Sequence, residues 1–231
     1  MRPWKLIESS EIPDDGGELR LYQRGEEFSI MLAGGGGELM SSRMHGSEDA
    51  LAELGCAHLP AGQAARVLIG GLGMGFTLAA ALRASGPQVE ITVAELIPAV
   101  VAWNRQHLGH FAGQPLDDAR CVVSVGDVGA ILRGERAAFD AILLDVDNGP
   151  EGLTHHNNNW LYSQEGLQAA FSALRPGGVL AVWSAGPEQT FHERLRRTGF
   201  RVEEHRVRAH GRGKGARHTI WVAMREGGAK G

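Results

Sequence analysis

Two short apolar runs, at 19–22 and 28–32, flank the polar segment QRGEE and predict a pair of strands. The glycine run at 34–37 reads as a connection or bulged turn. Residues 47–54 read as a short helix, with Ser47 as its cap and Glu48 and Asp49 in its first turn. These elements make residues 1–61 a small β-rich region placed before a main domain, 62–231.

From Ala65 onward, strands and helices alternate. Val67, Leu68 and Ile69 predict a buried strand, Phe76 to Leu82 a small-residue helix, and 89–94 a second strand ending at Glu95. A helix over 97–108 tolerates Pro98 in its first turn, and strands follow at 120–125 and 139–144. A helix over 164–174 is stopped by Pro176, Gly177 and Gly178, and a strand follows at 179–183. Residues 188–198 form a helix closed by Gly199, and 200–207 and 218–223 a closing pair of strands. Apolar strands alternating with helices predict an α/β fold, a mostly parallel sheet with helices on both faces. Ligands of such sheets bind beyond the carboxyl ends of the strands. That rim carries Gly71–Gly75, Glu95, Gly126–Asp127 and the segment 145–150. Asp140 falls at the opposite end, as a solvated strand-end residue.

Composition narrows the partners. A net charge of −4 gives no reason to expect nucleic acid or an anionic membrane. No apolar run reaches membrane-spanning length, and MRPWKLIESS lacks a signal-peptide core. Cys56 and Cys121, the only cysteines, read as buried thiols and make a reducing cytoplasm the simplest compartment.

The chemistry is concentrated on the rim. Gly71, Gly73 and Gly75 form G-x-G-x-G, with Phe76 where a dinucleotide fingerprint needs its third glycine. This spacing suits a single nucleoside better than a pyrophosphate and disfavours a nicotinamide-dependent dehydrogenase. Glu95 lies where a carboxylate accepts from ribose hydroxyls. Asp127 has two open roles, accepting from an exocyclic amino group such as that of adenine, or capping the helix that starts at Val128. Asp145, Asp147 and Asn148 crowd one loop. Asp145 reads as a group that orients or deprotonates an amine, whereas Asn148 and Gly149 read as turn formers. The segment THHNNNWLYS reads as a lid, and its adjacent histidines lack the partners a metal site needs, so no metal is expected. GRGKGAR joins the last two strands, and no serine sits on a nucleophile elbow.

VLIGGLGMGFTL, VAELIPAVV, GDV, FDAILLDVDNGP, the LYS of Leu161–Ser163 and ALRPGGVLAV occur in that order. As a set, over about residues 17–184, they resemble the motifs of the spermidine synthase family. The resemblance implies a small N-terminal β domain before a Rossmann-like, methyltransferase-type domain. It also implies a donor, S-adenosylmethionine or its decarboxylated form, with aminopropyl transfer to a small-molecule amine or polyamine, and a homodimer. By it Gly71, Gly73 and Gly75 line the nucleoside, Glu95 holds the ribose, Asp127 and Val128 meet the adenine, and Asp145 is the catalytic aspartate.

The chain also departs from the family. Met74 stands where GGGDGG has Asp, and DSSDP becomes DVDNGP, so that Asp147 and Asn148 replace or shift its second Asp. Ungapped extension sets Glu38 at the family's gate Gln, Ser47 at its substrate Tyr and Arg43 at an acidic position. The decarboxylated donor ends in an ammonium, which acids favour. Intact S-adenosylmethionine adds a carboxylate, which an arginine welcomes. Met74 and Arg43 therefore point toward methyl transfer as the rival reading. A catalytically silent nucleoside-binding protein is a third.

Overall fold

A computed structural model describes residues 3–13, 17–35, 37–146, 158–208 and 217–227. Strands β1 (Lys5–Glu11), β2 (Glu18–Arg24), β3 (Glu27–Leu32) and β4 (Gly37–Ser41) form an antiparallel sheet in sequential order. The two predicted strands are its middle pair. Strands β1 and β4 carry mixed polar and apolar residues without a clean period, and the sequence reading passed over them.

Helix α1 (Gly46–Cys56) comes next, then β5 (Ala65–Gly70), α2 (Phe76–Ala84), β6 (Val89–Glu95) and α3 (Pro98–Trp103). The remaining elements are β7 (Cys121–Val125), α4 (Val128–Gly134), β8 (Phe139–Leu144), α5 (Asn158–Leu161), α6 (Gln164–Ala173), β9 (Leu174–Ser184), α7 (Gln189–Thr198), β10 (Phe200–Arg208) and β11 (Arg217–Arg225). The seven strands from β5 on make one sheet, in the order β10-β11-β9-β8-β5-β6-β7. Strands β5 to β9 are parallel, whereas β11 pairs antiparallel with both β9 and β10. The fold is α/β, as the alternation requires.

The strand sequences explain why both faces are covered. Successive side chains of a strand point to opposite faces. Val67 and Ile69 of β5, and Ala141 and Leu143 of β8, join the core under α1, α2 and the N-terminal sheet. Leu68, Ile142 and Leu144 join the core under α4, α6 and α7. With both sets apolar, neither face can be left to water. Helix α1 lies directly on the sheet through Gly55, where a Cβ would stand 2.1 Å from Leu143 Cδ2.

Several local expectations are corrected. His45, not Ser47, occupies the N-cap of α1, and Ser47 is buried in the first turn. The helix α6 ends at Ala173, and β9 continues through Pro176. Proline has no N–H for a ladder, so the β8 register jumps from Leu174 to Val179 and leaves the intervening residues outside the pairing. Asp140 is not a solvated end: it accepts from the Arg66 N–H at 2.8 Å and pairs with Arg175 at 2.6 Å. No described helix is long and apolar enough to cross a membrane.

Candidate active site

In the seven-stranded sheet the chain leaves β5 toward β6 on one side, and β8 lies on the other. Such a reversal of strand order opens a crevice at the carboxyl ends. Gly71, Gly73 and Gly75 carry the chain out of β5 with φ of 89°, 53° and 83°. A Cβ on Gly71 would lie 2.4 Å from the carbonyl oxygen of Asp145, so the absence of a side chain lets the end of β8 close on the loop. Asn104 holds the loop from behind, its Nδ2 donating to the carbonyls of Gly73 at 2.7 Å and Val100 at 2.9 Å. Asn104 opens a π-helical stretch, Asn104–Leu108, a wide turn often found at functional sites.

Glu95 ends β6 and is buried. Its Oε2 accepts from the Leu72 N–H and its Oε1 from the Ile97 N–H, each at 2.9 Å. Both bonds fix the carboxylate against the cleft wall. Asp127 is the N-cap of α4, with Oδ1 accepting from the Gly129 N–H at 2.7 Å and Oδ2 from Arg133 at 3.0 Å. The Arg133 guanidinium lies 4.3 Å over the Trp160 ring. The cap that the sequence offered as one of two roles is therefore formed, and Asp127 also lines the cleft.

Gly71, Gly73, Glu95, Asp127, Val128 and Asp145 meet on this one cleft. Leu19, Ile30 and Met40 of the N-terminal sheet roof it. Met40, Gly73 and Asp145 also border a second, inner chamber, whose other walls include Glu48, Met74, Phe76, Thr77 and Trp183. The two cavities meet at Asp145. No lysine or arginine lines either of them among the described residues.

Asp145 follows the last residue of β8, and the Thr77 hydroxyl of α2 donates to its Oδ2 at 2.5 Å. Burial, then the charge of Glu48, pushes its carboxyl up to about 7, while the Thr77 bond pulls the other way. Glu48 is raised for the same first reason, loss of water, against the hydrogen bond from the Ser47 hydroxyl at 2.7 Å. Tyr162, within the LYS segment, donates its hydroxyl to the Val146 carbonyl at 3.0 Å and ties down the backbone just after Asp145.

Other expected residues fall elsewhere. Arg43 lines neither cavity: it is 60% exposed and pairs with Glu27 at 3.3 Å. Gly75 serves as the left-handed N-cap of α2 and lines neither cavity. Glu38 turns to the Ser29 hydroxyl at 2.8 Å, and Met40 takes the place over Gly73. Ser47 likewise gives way to Glu48 as the chamber-facing residue. The β3–β4 pairing shifts register between Ile30 and Met31, from Met40 to Glu38, which leaves Leu39 outside the ladder and breaks the alternation of side chains along β4. Asp147, Asn148, residues 154–157 of THHNNNWLYS and all of GRGKGAR except Arg217 lie outside the described residues.

The sequence reading missed Glu48, Thr77, Asn104, Met40 and Trp183 as wall or support residues. Asn104 carried a signal, a polar residue within an apolar helical face; Glu48 did not, because a first-turn acid is ordinary on any helix.

A family model, the spermine/spermidine synthase domain, matches residues 44–196. The chain is similar to polyamine aminopropyltransferase 2 of Pseudomonas aeruginosa, 33% identical over 120 residues, or 50% of this chain and 32% of that protein. It is also similar to the polyamine aminopropyltransferase of Sulfolobus acidocaldarius, 26% identical over 52% of this chain and 39% of that protein. The matched stretch thus spans 32% and 39% of the two curated relatives. Among solved structures, spermidine synthase from Thermotoga maritima superposes with a TM-score of 0.75 at 17% identity, covering 95% of this chain and 72% of that one. A spermidine synthase in complex with the transition-state analogue AdoDATO gives a TM-score of 0.73 at 19% identity, with the same coverage. These superpositions establish the fold, and the domain match over most of the chain establishes the family: the chain belongs to the spermine/spermidine synthase domain family.

Proposed function

We propose that this chain is an alkyl transferase that moves an aminopropyl group from decarboxylated S-adenosylmethionine to an aliphatic amine. The observation that carries the reading is the place of Asp145, where the cleft meets a chamber that no lysine or arginine lines among the described residues; burial and the charge of Glu48 push its carboxyl up. Glu95 would hold the ribose, while Asp127 and Val128 would border the base. Asp147 and Asn148, outside the described residues, stay candidates for contact with the substrate or the donor tail.

The chemistry asks little of the protein beyond alignment and one proton. The amine lone pair attacks the carbon bonded to the sulfonium, the C–S bond breaks, and its electron pair neutralises the sulfur as a thioether. The nitrogen then carries one proton too many, and the Asp145 carboxylate takes it. A base titrating near neutrality can both accept that proton and return it to water. Holding donor and acceptor in line supplies most of the remaining acceleration.

Methyl transfer from intact S-adenosylmethionine loses one of its two supports, since Arg43 stands away from the cavities. A donor carboxylate would also meet Glu48 and Asp145 with no cation to offset them. Calorimetry with each donor, followed by mass analysis after adding aliphatic diamines and triamines, tests the reading. Aminopropyl product is expected. Binding of intact S-adenosylmethionine with methylated product would replace the reading, and binding without product would favour a silent nucleoside-binding protein.

A further inference from the structure

We propose that Glu48 is a specificity-determining residue: with Asp145 it forms a carboxyl pair that holds an alkylammonium group in the inner chamber and gives up a shared proton when that group binds. This rests on the transferase reading above and deepens it by naming what the chamber selects.

The placement of Glu48 follows from α1. The helix is pressed onto β8 through Gly55, and this turns its first residues toward the end of β8, where Asp145 stands. The Ser47 hydroxyl donates to Glu48 Oε2 at 2.7 Å and fixes the side chain. Around the two acids the walls are Met40, Leu72, Met74, Phe76 and Trp183. Thioether and aromatic walls suit a methylene chain, and aromatic faces attract an ammonium. Met74 leaves the glycine loop without an acid, so the second negative charge comes from α1 instead.

Among the surrounding charges, those of His45 and Asp49 act on Glu48 in opposite senses. On α1, His45 Nδ1 meets Asp49 Oδ2 at 2.7 Å, and from α2 Arg83 meets Asp49 Oδ1 at 2.7 Å. Both bases are thus engaged by Asp49. From α2 the chamber receives Phe76 and the Thr77 hydroxyl, which donates to Asp145, from β9 the Trp183 ring, against which His218 of β11 packs, and from β4 Leu39, Met40 and Ser41. Burial raises both carboxyls and the charge of Glu48 raises Asp145 further, so the pair holds a proton more tightly than two separate carboxyls would. An entering ammonium replaces that proton as the neutralising charge, and a ligand bearing a carboxylate is repelled.

The test compares wild-type protein with Glu48→Gln, which keeps an acceptor for Ser47 and removes the charge. Three probes are titrated calorimetrically, in buffers of different ionisation enthalpy so that released protons are counted. Methylthioadenosine has no charge on its tail, decarboxylated S-adenosylmethionine has the ammonium, and a short aliphatic diamine is an ammonium without nucleoside. Glu48→Gln is expected to leave methylthioadenosine affinity unchanged. It is expected to weaken an ammonium probe about tenfold or more and to abolish its proton release near pH 7. Loss on the aminopropyl nucleoside assigns the chamber to the donor tail; loss on the diamine assigns it to the acceptor. Glu48→Asp, which keeps the charge, is expected to restore proton release.

Equal ammonium affinity and equal proton release in wild-type and Glu48→Gln protein would overturn the proposal. Failure of methylthioadenosine to bind wild-type protein would overturn the nucleoside reading instead. The diamine arm needs no nucleoside and still judges Glu48.

Discussion

Asn in place of Asp145 should stabilise the ligand-free protein while abolishing transfer. The carboxyl moves from an ordinary 3.8 to about 7 on folding, so the folded state holds its proton more tightly than the unfolded chain does. The stabilising contribution is complete below about pH 4 and is lost as pH rises through about 7. Three pK units at roughly 1.4 kcal/mol each set an upper bound of about 4 kcal/mol. The partial exposure of Asp145 and the charge-assisted Thr77 bond that Asn weakens reduce this to about 2 kcal/mol. Asn resembles the protonated acid, and the Thr77 hydroxyl can donate to its Oδ1. Thermal melts of wild-type and Asp145→Asn protein should therefore coincide near pH 4 and separate by about 4–8 °C at pH 8, at roughly 2–4 °C per kcal/mol for a chain of this size. Because Glu48 faces the same chamber, the midpoint of this separation belongs to the pair. A separation that shrinks with pH, or a variant destabilised at pH 8, would show that a cation stabilises the carboxylate, and the assignment of Asp145 as a neutral-range base would fall. Initial transfer rates should drop by about 100-fold or more at every pH.

Gly71→Ala must place a Cβ against the Asp145 carbonyl at φ 89° and should cost about 3 kcal/mol or more in urea denaturation, with loss of nucleoside binding. Glu95→Gln replaces one of two backbone acceptors with an amide donor facing an N–H. Nucleoside affinity by calorimetry should fall about tenfold or more, and stability by about 1–3 kcal/mol. Glu8 accepts from Trp103 Nε1 at 2.8 Å and His107 Nε2 at 2.9 Å, joining β1 to the α3 region. The His107 bond, then the Trp103 bond, lowers its pKa, so its contribution is present above the ordinary carboxylate range and is lost as pH falls through the folded value. Glu8→Ala should cost about 1–2 kcal/mol at pH 7, mostly through the orphaned Trp103 N–H, and the deficit should shrink below about pH 4 in acid-range melts.

Much of the main sheet is legible residue by residue. The runs around Val67, Phe139 and Val179 are apolar at successive positions because both faces of a parallel sheet are covered, and such runs stand out in any sequence. Glu95 and Asp145 were identifiable because each closes such a run, and the end of a parallel strand fixes where its next carboxylate stands. Glu48 and Met40 were not. One belongs to a helix and the other to a half-covered antiparallel strand, and neither element's pattern says which part of the main sheet it meets. Arg43 was assigned by counting along the chain, and it pairs with Glu27 at the surface, in the lining of neither cavity.

Local order in the chain was thus set by the sequence itself: strand, glycine turn, helix and terminal acid follow from apolar period, the absence of a Cβ and helix capping, all of which act within a few residues. Which distant segments share a cavity was decided only by packing. The N-terminal sheet roofs the cleft, and α1 delivers Glu48 opposite Asp145. Those placements depend on where apolar faces far apart in sequence come together, and they bring two acids, 97 positions apart, to one chamber, where the charge of Glu48 raises the Asp145 carboxyl.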